Sequence, residues 1–406
     1  MRIAFYLAGS DLGRSGIGIY VREVLPRLVA LAEEAGDDLV VVGTRAEHEA
    51  FSTRALAVER RFLPATLDRP GPSALFHLAA AGVLAPLHRA DVLLLPAANR
   101  RLTAVSPVPT VAVVHDLAQL EVAKKYDPLR MAYVKYAVMG ALRRADSLVT
   151  VSGATRDDLA AALGIDPSTI RVVLNGVDTQ RFHPMDPSDP ALGEVRSAHH
   201  LDRPFLLYVS RLEDPGKNHL RLVDAFAGSA LRSTHDLILV GADWGAGAAI
   251  ESAAAEAGVS DRVRWLGFVE DDHLPRLVSS ADAVIMVGLR EGFGLPALEA
   301  IAAGRPVCAA NTGALPEVVG PYAALCDPYD VESIRQALEA AATDPELHGR
   351  VAAEGPGWAQ ARGWGATAAG LYEACRAVGD SRIHRSAPPG LSGPPGPSGP
   401  SGPSGQ

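Results

Sequence analysis

The sequence predicts an α/β protein with two doubly wound parallel-sheet domains that face each other across a cleft. The chain has 406 residues, 48% of them hydrophobic, which is enough for two separate cores. Short apolar runs alternate with helical stretches in both halves, as is typical of parallel sheets covered on both faces. A proline-rich stretch at 179–204 interrupts this pattern and is predicted to connect the domains.

Apolar runs predicted to be strands occur on both sides of that connection. Those of the first half are 2–8, 38–43, 91–96, 110–114, 147–152 and 170–176, and those of the second are 205–210, 236–241, 262–267, 282–288 and 306–310. The predicted organisation is a first domain at 1–185, a linker at 186–204, a second domain at 205–362, a helix at 363–380 and a disordered Pro/Gly/Ser-rich tail at 381–406.

Charge and cysteine content narrow the class of protein. The net charge of −9 argues against nucleic acid as a partner. Residues 1–185 nevertheless carry 21 basic against 19 acidic side chains, which fits an anionic acceptor or weak peripheral membrane association, and equally a solvated face. Three scattered cysteines indicate buried thiols in a reducing compartment. Because no apolar run approaches the ~18 residues that a membrane span needs and no secretory signal is recognisable, we predict a cytoplasmic protein.

The glycine-rich turn "GSDLGRSGIGIY" (9–20) follows the first predicted strand and opens a helix, as a nucleotide-binding turn would. Its glycines do not form GxGxxG, and the second strand ends without the acidic residue that grips an NAD ribose. The chain also lacks GxxxxGK[ST]. These departures disfavour a dehydrogenase and exclude a P-loop, and a tight strand–helix turn explains most of the pattern.

Two cations follow the first strand of the second domain, in "YVSRLEDPGKNHLRLVDAF" (208–226). Arg211 and Lys217 lie where the carboxyl end of a parallel strand meets a helix. They are either solvated cations or ligands for a diphosphate. A departing diphosphate gains negative charge as its bond to a sugar breaks, so cations here would favour that step.

The stretch "LREGFGLPALEAIAAGRPV" (289–307) places carboxylates on both sides of a glycine loop. Pro296 and Gly304 suit the beginning and the end of a helix, which places Glu291 in the loop and Glu299 in the first turn. A helix dipole alone would account for Glu299. Unpaired N–H groups at a helix start bind anions, whereas carboxylates accept hydrogen bonds from diols. The predicted ligand is therefore an anion with a polyol on each side. The glutamates would bind the two polyols, and the backbone of Gly292, Phe293, Gly294 and Leu295 would contact the part between them.

In combination these motifs resemble the retaining glycosyltransferases of family 4, which have the GT-B architecture of two Rossmann-like domains. The residues that carry the resemblance are EGFGLPALE, the upstream R…GKN and "NGVDTQRFHP" (175–184), and it covers about residues 1–378. It implies that Arg211 and Lys217 bind the donor diphosphate, that Glu299 binds the ribose and that Glu291 binds the transferred sugar.

The resemblance also implies roles in the first domain. It places His115, from "HDLAQL" (115–120), beside the sugar, although this histidine could otherwise be a structural strand cap. Gly16 to Gly18 would close over the phosphates, and the helix at 363–380 would cross back to the first domain. It implies no bound metal or cofactor. "EDDH" (270–273) faintly resembles an acidic metal motif but is better explained as a helix N-cap.

The activity that the resemblance implies is transfer of a sugar from a nucleotide diphosphate sugar, GDP-mannose-like by family similarity, to an acceptor hydroxyl of a glycan, glycolipid or natural product. The anomeric configuration would be kept, with the diphosphate itself as base. A sugar-nucleotide epimerase and a non-catalytic nucleotide-sugar-binding relative remain alternatives. The acceptor would be selected by first-domain loops such as 97–107 and 117–131.

Overall fold

The computed structural model describes residues 1–117 and 133–386. The acceptor loop expected at 117–131 lies outside the described residues apart from Leu117, and so does the tail after Ser386. The described parts contain two parallel sheets, which confirms the predicted α/β class.

The first sheet has seven strands in the order β3-β2-β1-β4-β5-β6-β7, and every neighbouring pair is parallel. The strands are β1 (Arg2–Tyr6), β2 (Asp38–Thr44), β3 (Glu59–Leu63), β4 (Val92–Leu95), β5 (Thr110–Val114), β6 (Ser147–Thr150) and β7 (Ile170–Val172).

The second sheet has six parallel strands in the order β10-β9-β8-β11-β12-β13. They are β8 (Phe205–Val209), β9 (Asp236–Val240), β10 (Val263–Trp265), β11 (Ala283–Met286), β12 (Val307–Ala310) and β13 (Ala323–Cys326). We refer to the parts of the chain that carry the two sheets as the first and second domains.

Helices connect the strands and cover the sheets. They are α1 (Gly16–Glu34), α2 (Arg45–Ala50), α3 (Pro70–His88, with a π-helical segment at His77–Ala81), α4 (Met139–Leu142), α5 (Gly153–Leu163), α6 (Pro190–Ala198), α7 (His219–Gly228), α8 (Gly247–Glu256), α9 (His273–Ser280), α10 (Leu295–Ala302), α11 (Leu315–Val319), α12 (Val331–Thr343), α13 (Pro345–Gln360) and α14 (Trp364–Ser386).

Strand β1 shows why the central strands are continuous apolar runs. Ile3 and Phe5 pack in one buried cluster with residues of α1, whereas Ala4 and Tyr6 pack in a second cluster with residues of α3. Successive side chains of a strand point to opposite faces, so a strand covered on both faces needs apolar residues at every position.

Two strands were missed by the sequence prediction, and both are edge strands. β3, "ERRFL", has largely exposed side chains, and β13 is only partly buried. An edge strand meets solvent on one side and therefore lacks the continuous apolar run used to predict the others. The connection was also more structured than predicted, because it contains α6.

The last described helix, α14, packs against α1 of the first domain. Trp364, Leu371 and Cys375 of α14 are buried, and Thr367 donates a hydrogen bond of 2.8 Å to the carbonyl oxygen of Leu174. The helix extends to Ser386, so the segment 381–386 is helical rather than part of the predicted disordered tail. All three cysteines are buried free thiols, as predicted.

Helix α3 departs from the expectation that no segment of the chain is long and apolar enough to span a membrane. The helix has 19 residues, and an 18-residue window within it has a mean hydropathy of 1.2, so by length and composition alone it could cross a membrane. The sequence prediction missed it because Ser73, His77 and several prolines and glycines interrupt the apolar run.

Candidate functional site

Two of the predicted site residues, Gly292 and His115, meet where the carboxyl ends of the two sheets approach each other. A Cβ atom on Gly292 of the second domain would lie 2.0 Å from the carbonyl oxygen of His115, which directly follows β5. Thr155 Oγ1 donates to the carbonyl oxygen of Gly292 at 3.3 Å. The glycine loop of the second domain is therefore in contact with the loop that carries His115.

Lys217 and Glu291 form the central contact of the predicted site. Lys217 Nζ donates a hydrogen bond of 2.7 Å to Glu291 Oε1, and the two side chains are 19% and 12% exposed. The cation predicted for the phosphates and the carboxylate predicted for the sugar thus neutralise each other. Sequence reasoning assigned both residues to the site but did not foresee that they pair.

The loop that carries Lys217 is held by its neighbours. The hydroxyl of Tyr208 donates to the carbonyl oxygen of Lys217 at 2.7 Å. Asn218 has a left-handed backbone (φ 61°), and its Nδ2 donates to the carbonyl oxygens of Val287 and Pro328 at 3.1 and 2.7 Å. These buried contacts fix the direction in which the lysine side chain leaves the backbone.

Glu291 is fixed through its backbone. Ala314 N donates to the carbonyl oxygen of Glu291 at 3.1 Å, and Leu289 N donates to the carbonyl oxygen of Gly216 at 3.0 Å. Gly313 passes so close that a Cβ atom on it would lie 2.7 Å from the carbonyl oxygen of Glu291, and its φ is +60°. Only glycine fits both requirements without strain.

Arg211 lies between an acid and an aromatic ring. Its Nε donates to Glu213, and its guanidinium carbon lies 4.6 Å from the centroid of the Trp244 ring. Trp244 follows β9, the strand next to β8, and its side chain is largely exposed. Sequence reasoning missed Trp244, and the available signal was an aromatic residue after the strand that neighbours β8.

The glycine loop can contact a ligand through its backbone rather than through its side chains. Gly294 precedes α10 with φ 93°, and a Cβ atom on it would lie 2.6 Å from Leu315 Cδ2. The side chains of Phe293 and Leu295 are buried. What the start of α10 can present to a ligand is therefore its N–H groups, which suit an anion.

Glu299 is not in the first turn of its helix, which corrects the sequence prediction. Helix α10 begins at Leu295, so Glu299 is in the second turn, where the helix dipole no longer explains an acid. The side chain is 9% exposed. Burial raises its pKa to about 7, with nearby Glu23 raising it further and Arg181 lowering it.

His115 is buried and neutral. Burial lowers its pKa to about 4, and its ring lies edge-on to Tyr20 at a centroid distance of 4.8 Å. Nε2 lies 2.8 Å from the carbonyl oxygen of Pro96, which can only accept, so Nε2 carries the proton. Nδ1 is then the unprotonated nitrogen, a hydrogen-bond acceptor.

The two glycines of the first turn have different surroundings. A Cβ atom on Gly16 would lie 3.9 Å from Leu295 Cδ1, so Gly16 faces the start of α10. A Cβ atom on Gly18 would lie 2.5 Å from the Cα atom of Gly13. Gly18 therefore permits the tight turn itself, whereas Gly16 borders the cleft.

Further polar contacts link the two domains, and sequence reasoning did not foresee them. Asp271 of "EDDH" lies 3.4 Å from Arg22 Nη1, and its carbonyl oxygen accepts from Arg181 at 2.9 Å. The predicted cap is absent, since the N-cap residue Asp272 makes no side-chain hydrogen bond to α9. Glu317 accepts from Gly153 N at 2.9 Å.

Within residues 1–117 and 133–386, no group of three or more His, Cys, Asp or Glu side chains could hold a metal ion.

Comparison with known proteins assigns the chain to a family. Residues 14–181 match the model of Glycosyltransferase Family 4, and residues 194–358 match that of Glycosyl transferases group 1. The D-inositol 3-phosphate glycosyltransferase of Frankia alni is 31% identical over 286 residues, 66% of this chain and 68% of that protein. The chain therefore belongs to the family 4 glycosyltransferases.

Other relatives match over shorter parts. The MMP alpha-(1->4)-mannosyltransferase of Mycolicibacterium hassiacum is 34% identical over 199 residues, 48% of this chain and 45% of that protein. The crystal structure of Anabaena HepE in complex with UDP and glucose has a TM-score of 0.70 at 20% identity, covering 93% of this chain and 100% of that chain. This likeness shows the fold, which is GT-B.

Proposed function

We propose that the protein is a retaining glycosyltransferase that moves a sugar from a nucleotide diphosphate sugar to an acceptor hydroxyl. The observation that carries the proposal is the 2.7 Å contact between Lys217 and Glu291, beside the glycine loop and opposite His115. A cation and a carboxylate in contact mark the point where an anionic diphosphate would join a neutral sugar. Family membership supports the same conclusion.

Each group then has a chemical task. Lys217 and Arg211 stabilise the diphosphate as it departs, because its negative charge grows in the transition state. Glu291 accepts hydrogen bonds from the sugar hydroxyls, and Glu299 accepts those of the ribose. The unprotonated Nδ1 of His115 accepts from a sugar hydroxyl, a task for which its low pKa keeps it neutral.

Retention follows in this proposal from attack and departure on the same face of the sugar. The acceptor hydroxyl gives its proton to the departing diphosphate, so no enzyme nucleophile is needed. Glu291, the carboxylate proposed to hold the sugar, is paired with Lys217, and this ion pair suits binding better than nucleophilic attack.

For the donor we propose a GDP-mannose-like compound. The name of the Mycolicibacterium hassiacum relative supports mannose, whereas the Anabaena structure contains UDP and glucose. For the acceptor we propose a hydroxyl of a sugar or cyclitol. The names of two relatives support this class: the D-inositol 3-phosphate glycosyltransferase of Frankia alni and the 2-deoxystreptamine glucosyltransferase of Streptomyces kanamyceticus, which is 30% identical over 243 residues.

The test is incubation of the full chain with GDP-mannose or UDP-glucose, each with and without a panel of polyol acceptors. The expected result is acceptor-dependent release of nucleotide diphosphate and a product with the donor's anomeric configuration by NMR. An epimerised donor without acceptor would identify an epimerase. Donor binding without turnover across the panel would overturn catalysis, and an inverted product would overturn retention.

A further inference from the structure

Helix α3 of the first domain exposes an apolar stripe. Leu75, Val83 and Leu87 are 68%, 54% and 70% exposed, and Ala79 lies between them at the same spacing of four residues. This spacing places all four on one face of a helix over about 18 Å. Between Arg69 and Arg89 the sequence contains no Asp, Glu, Lys or Arg.

The opposite face of α3 anchors the helix in the domain. The residues of that face are buried, and they also recur every four positions: Ser73, His77, Ala81 and Ala85. The carbonyl oxygen of Ala81 accepts a hydrogen bond of 3.1 Å from the hydroxyl of Tyr6 on β1. A helix fixed in this way cannot leave the sheet to cross a bilayer without unfolding the domain.

A neighbouring loop extends the apolar surface. Val105 is 65% exposed, and its loop is bound to α3 because Ala104 N donates to the carbonyl oxygen of Leu78 at 2.9 Å. The same loop lines a cavity of about 180 Å³ that also borders Arg144. We call Leu75, Ala79, Val83, Leu87 and Val105 the apolar face.

Basic residues flank the apolar face along the chain. Residues 52–105 contain seven arginines against three acidic residues, although the whole chain has a net charge of −9. Arg69 and Arg89 are exposed at the two ends of α3, and Arg144 is exposed beside the cavity. An apolar stripe with cations at its margins complements an anionic lipid surface, where the apolar side chains enter the interface and the cations meet headgroups.

The apolar face also ends close to the cleft. Arg101 donates from Nε to Ser73 Oγ at 2.8 Å and from Nη2 to the carbonyl oxygen of Pro70 at 3.1 Å. Its neighbour Arg100 donates to the carbonyl oxygen of Gly9 at 3.2 Å. The start of α3 is thus linked to the loops that follow β4 and β1, at the carboxyl edge of the first sheet.

We propose that the apolar face docks on an anionic bilayer surface and that the acceptor is presented by that membrane. The substrate class that follows is a sugar or cyclitol attached to a lipid. This second part depends on the proposed function, whereas docking itself depends only on the surface of α3. A helix lying in the interface needs no spanning segment.

Co-sedimentation with vesicles tests the docking. The vesicles contain phosphatidylcholine alone, or equal parts of phosphatidylcholine and phosphatidylglycerol. The full chain should bind the anionic vesicles and release them at high salt. Leu75→Gln with Leu87→Gln should weaken binding by about tenfold or more, because two exposed side chains lose their apolar contact. Leu325→Gln, an exposed leucine on edge strand β13, is the matched control and should bind normally.

Other outcomes would overturn the proposal. No binding to anionic vesicles, or equal binding by the double variant, excludes docking through this face. A dimer in light scattering that the double variant loses would assign the face to a second copy of the chain. Nucleotide affinity and turnover of soluble acceptors should be unchanged in the double variant. If the wild-type chain docks but no donor is consumed, the proposed function fails and the docking stands.

Discussion

Lys217 Nζ lies 2.7 Å from Glu291 Oε1 across 74 residues of sequence. Both side chains are mostly buried, so the attraction is screened less than on the surface. In the unliganded protein the carboxylate therefore offsets the cation that a diphosphate would use. In the proposed function, donor binding exchanges this ion pair for one contact to phosphate and another to sugar.

Glu291→Gln should strengthen binding of free nucleoside diphosphate and weaken catalysis. The neutral amide no longer offsets Lys217, so affinity for GDP or UDP should rise by roughly fivefold, about 1 kcal/mol. The single-turnover rate should fall by ~100-fold or more, because the sugar loses a carboxylate near a centre that becomes positive. Calorimetry and rapid-quench measurements give the two quantities.

Lys217→Ala removes the positive partner of the same ion pair. It should weaken nucleotide diphosphate binding and reduce turnover by a larger factor, since the phosphate charge grows during reaction. If Glu291→Gln instead lost nucleotide affinity, the carboxylate would contact the nucleotide and the roles given to the two glutamates would be reversed.

Nucleotide affinity should rise with pH through the pKa of Glu299. Burial raises this pKa to about 7, so the side chain is largely protonated below that pH and largely ionised above it. A carboxylate accepts from both ribose hydroxyls more strongly than the acid does. Affinity should therefore increase from pH 6 to 8 and then level off. Glu299→Gln should bind more weakly by about 1.5–3 kcal/mol and lack this rise.

The same group should make the unliganded protein less stable as pH rises. The folded pKa lies above the ordinary value of 4.5, so between these values the folded state holds the proton more tightly than the unfolded state does. Stability is then lost as pH rises from about 4.5 to 7, by roughly 3 kcal/mol at most. Glu299→Gln should melt higher than wild type at pH 8. Equal melting temperatures at pH 8 would show that burial does not raise the pKa of Glu299 in the folded state.

Helix α14 should be essential to the first domain's stability. Leu371 is fully buried, and its replacement by Ala leaves a cavity that costs about 2–5 kcal/mol. Glu373→Ala on the same helix is the control, because its 3.3 Å ion pair with Arg171 is exposed and contributes less than about 1 kcal/mol. Thermal unfolding should separate the two variants by several degrees. Similar melting curves would mean that α14 is loosely attached.

Features that depend on neighbouring residues in the chain were predicted from the sequence, whereas features that depend on contacts between distant segments were not. Central strands such as β1 are continuous apolar runs, and the glycine loop before α10 carries its own backbone requirement, so both were predictable. Lys217 pairs with Glu291, and Arg22 pairs with Asp271, only because distant segments of the chain fold together. The sequence around each of these residues does not indicate its partner. The raised pKa of Glu299 likewise follows from burial.

Gly292→Ala should disable catalysis without disabling nucleotide binding. A Cβ atom at this position would lie 2.0 Å from the carbonyl oxygen of His115, and backbone atoms cannot yield as a flexible side chain can. The methyl group would therefore push the glycine loop away from the first domain. A displacement of about 1 Å in a reacting pair can cost ~100-fold in rate. Lys217, Arg211 and Glu299 all belong to the second domain, so affinity for nucleoside diphosphate should change little.

Gly349→Ala provides the matched control for that substitution. Gly349 lies in α13 with no atom within 4 Å of its Cβ position, so alanine fits there and should stabilise the helix by about 0.5–1 kcal/mol. Small-angle scattering should show a more open molecule for Gly292→Ala than for Gly349→Ala. Because the contact between Gly292 and His115 joins the two domains, and the proposed reaction needs groups from both, only the first variant should lose turnover. Full activity in Gly292→Ala would mean that catalysis does not need this contact.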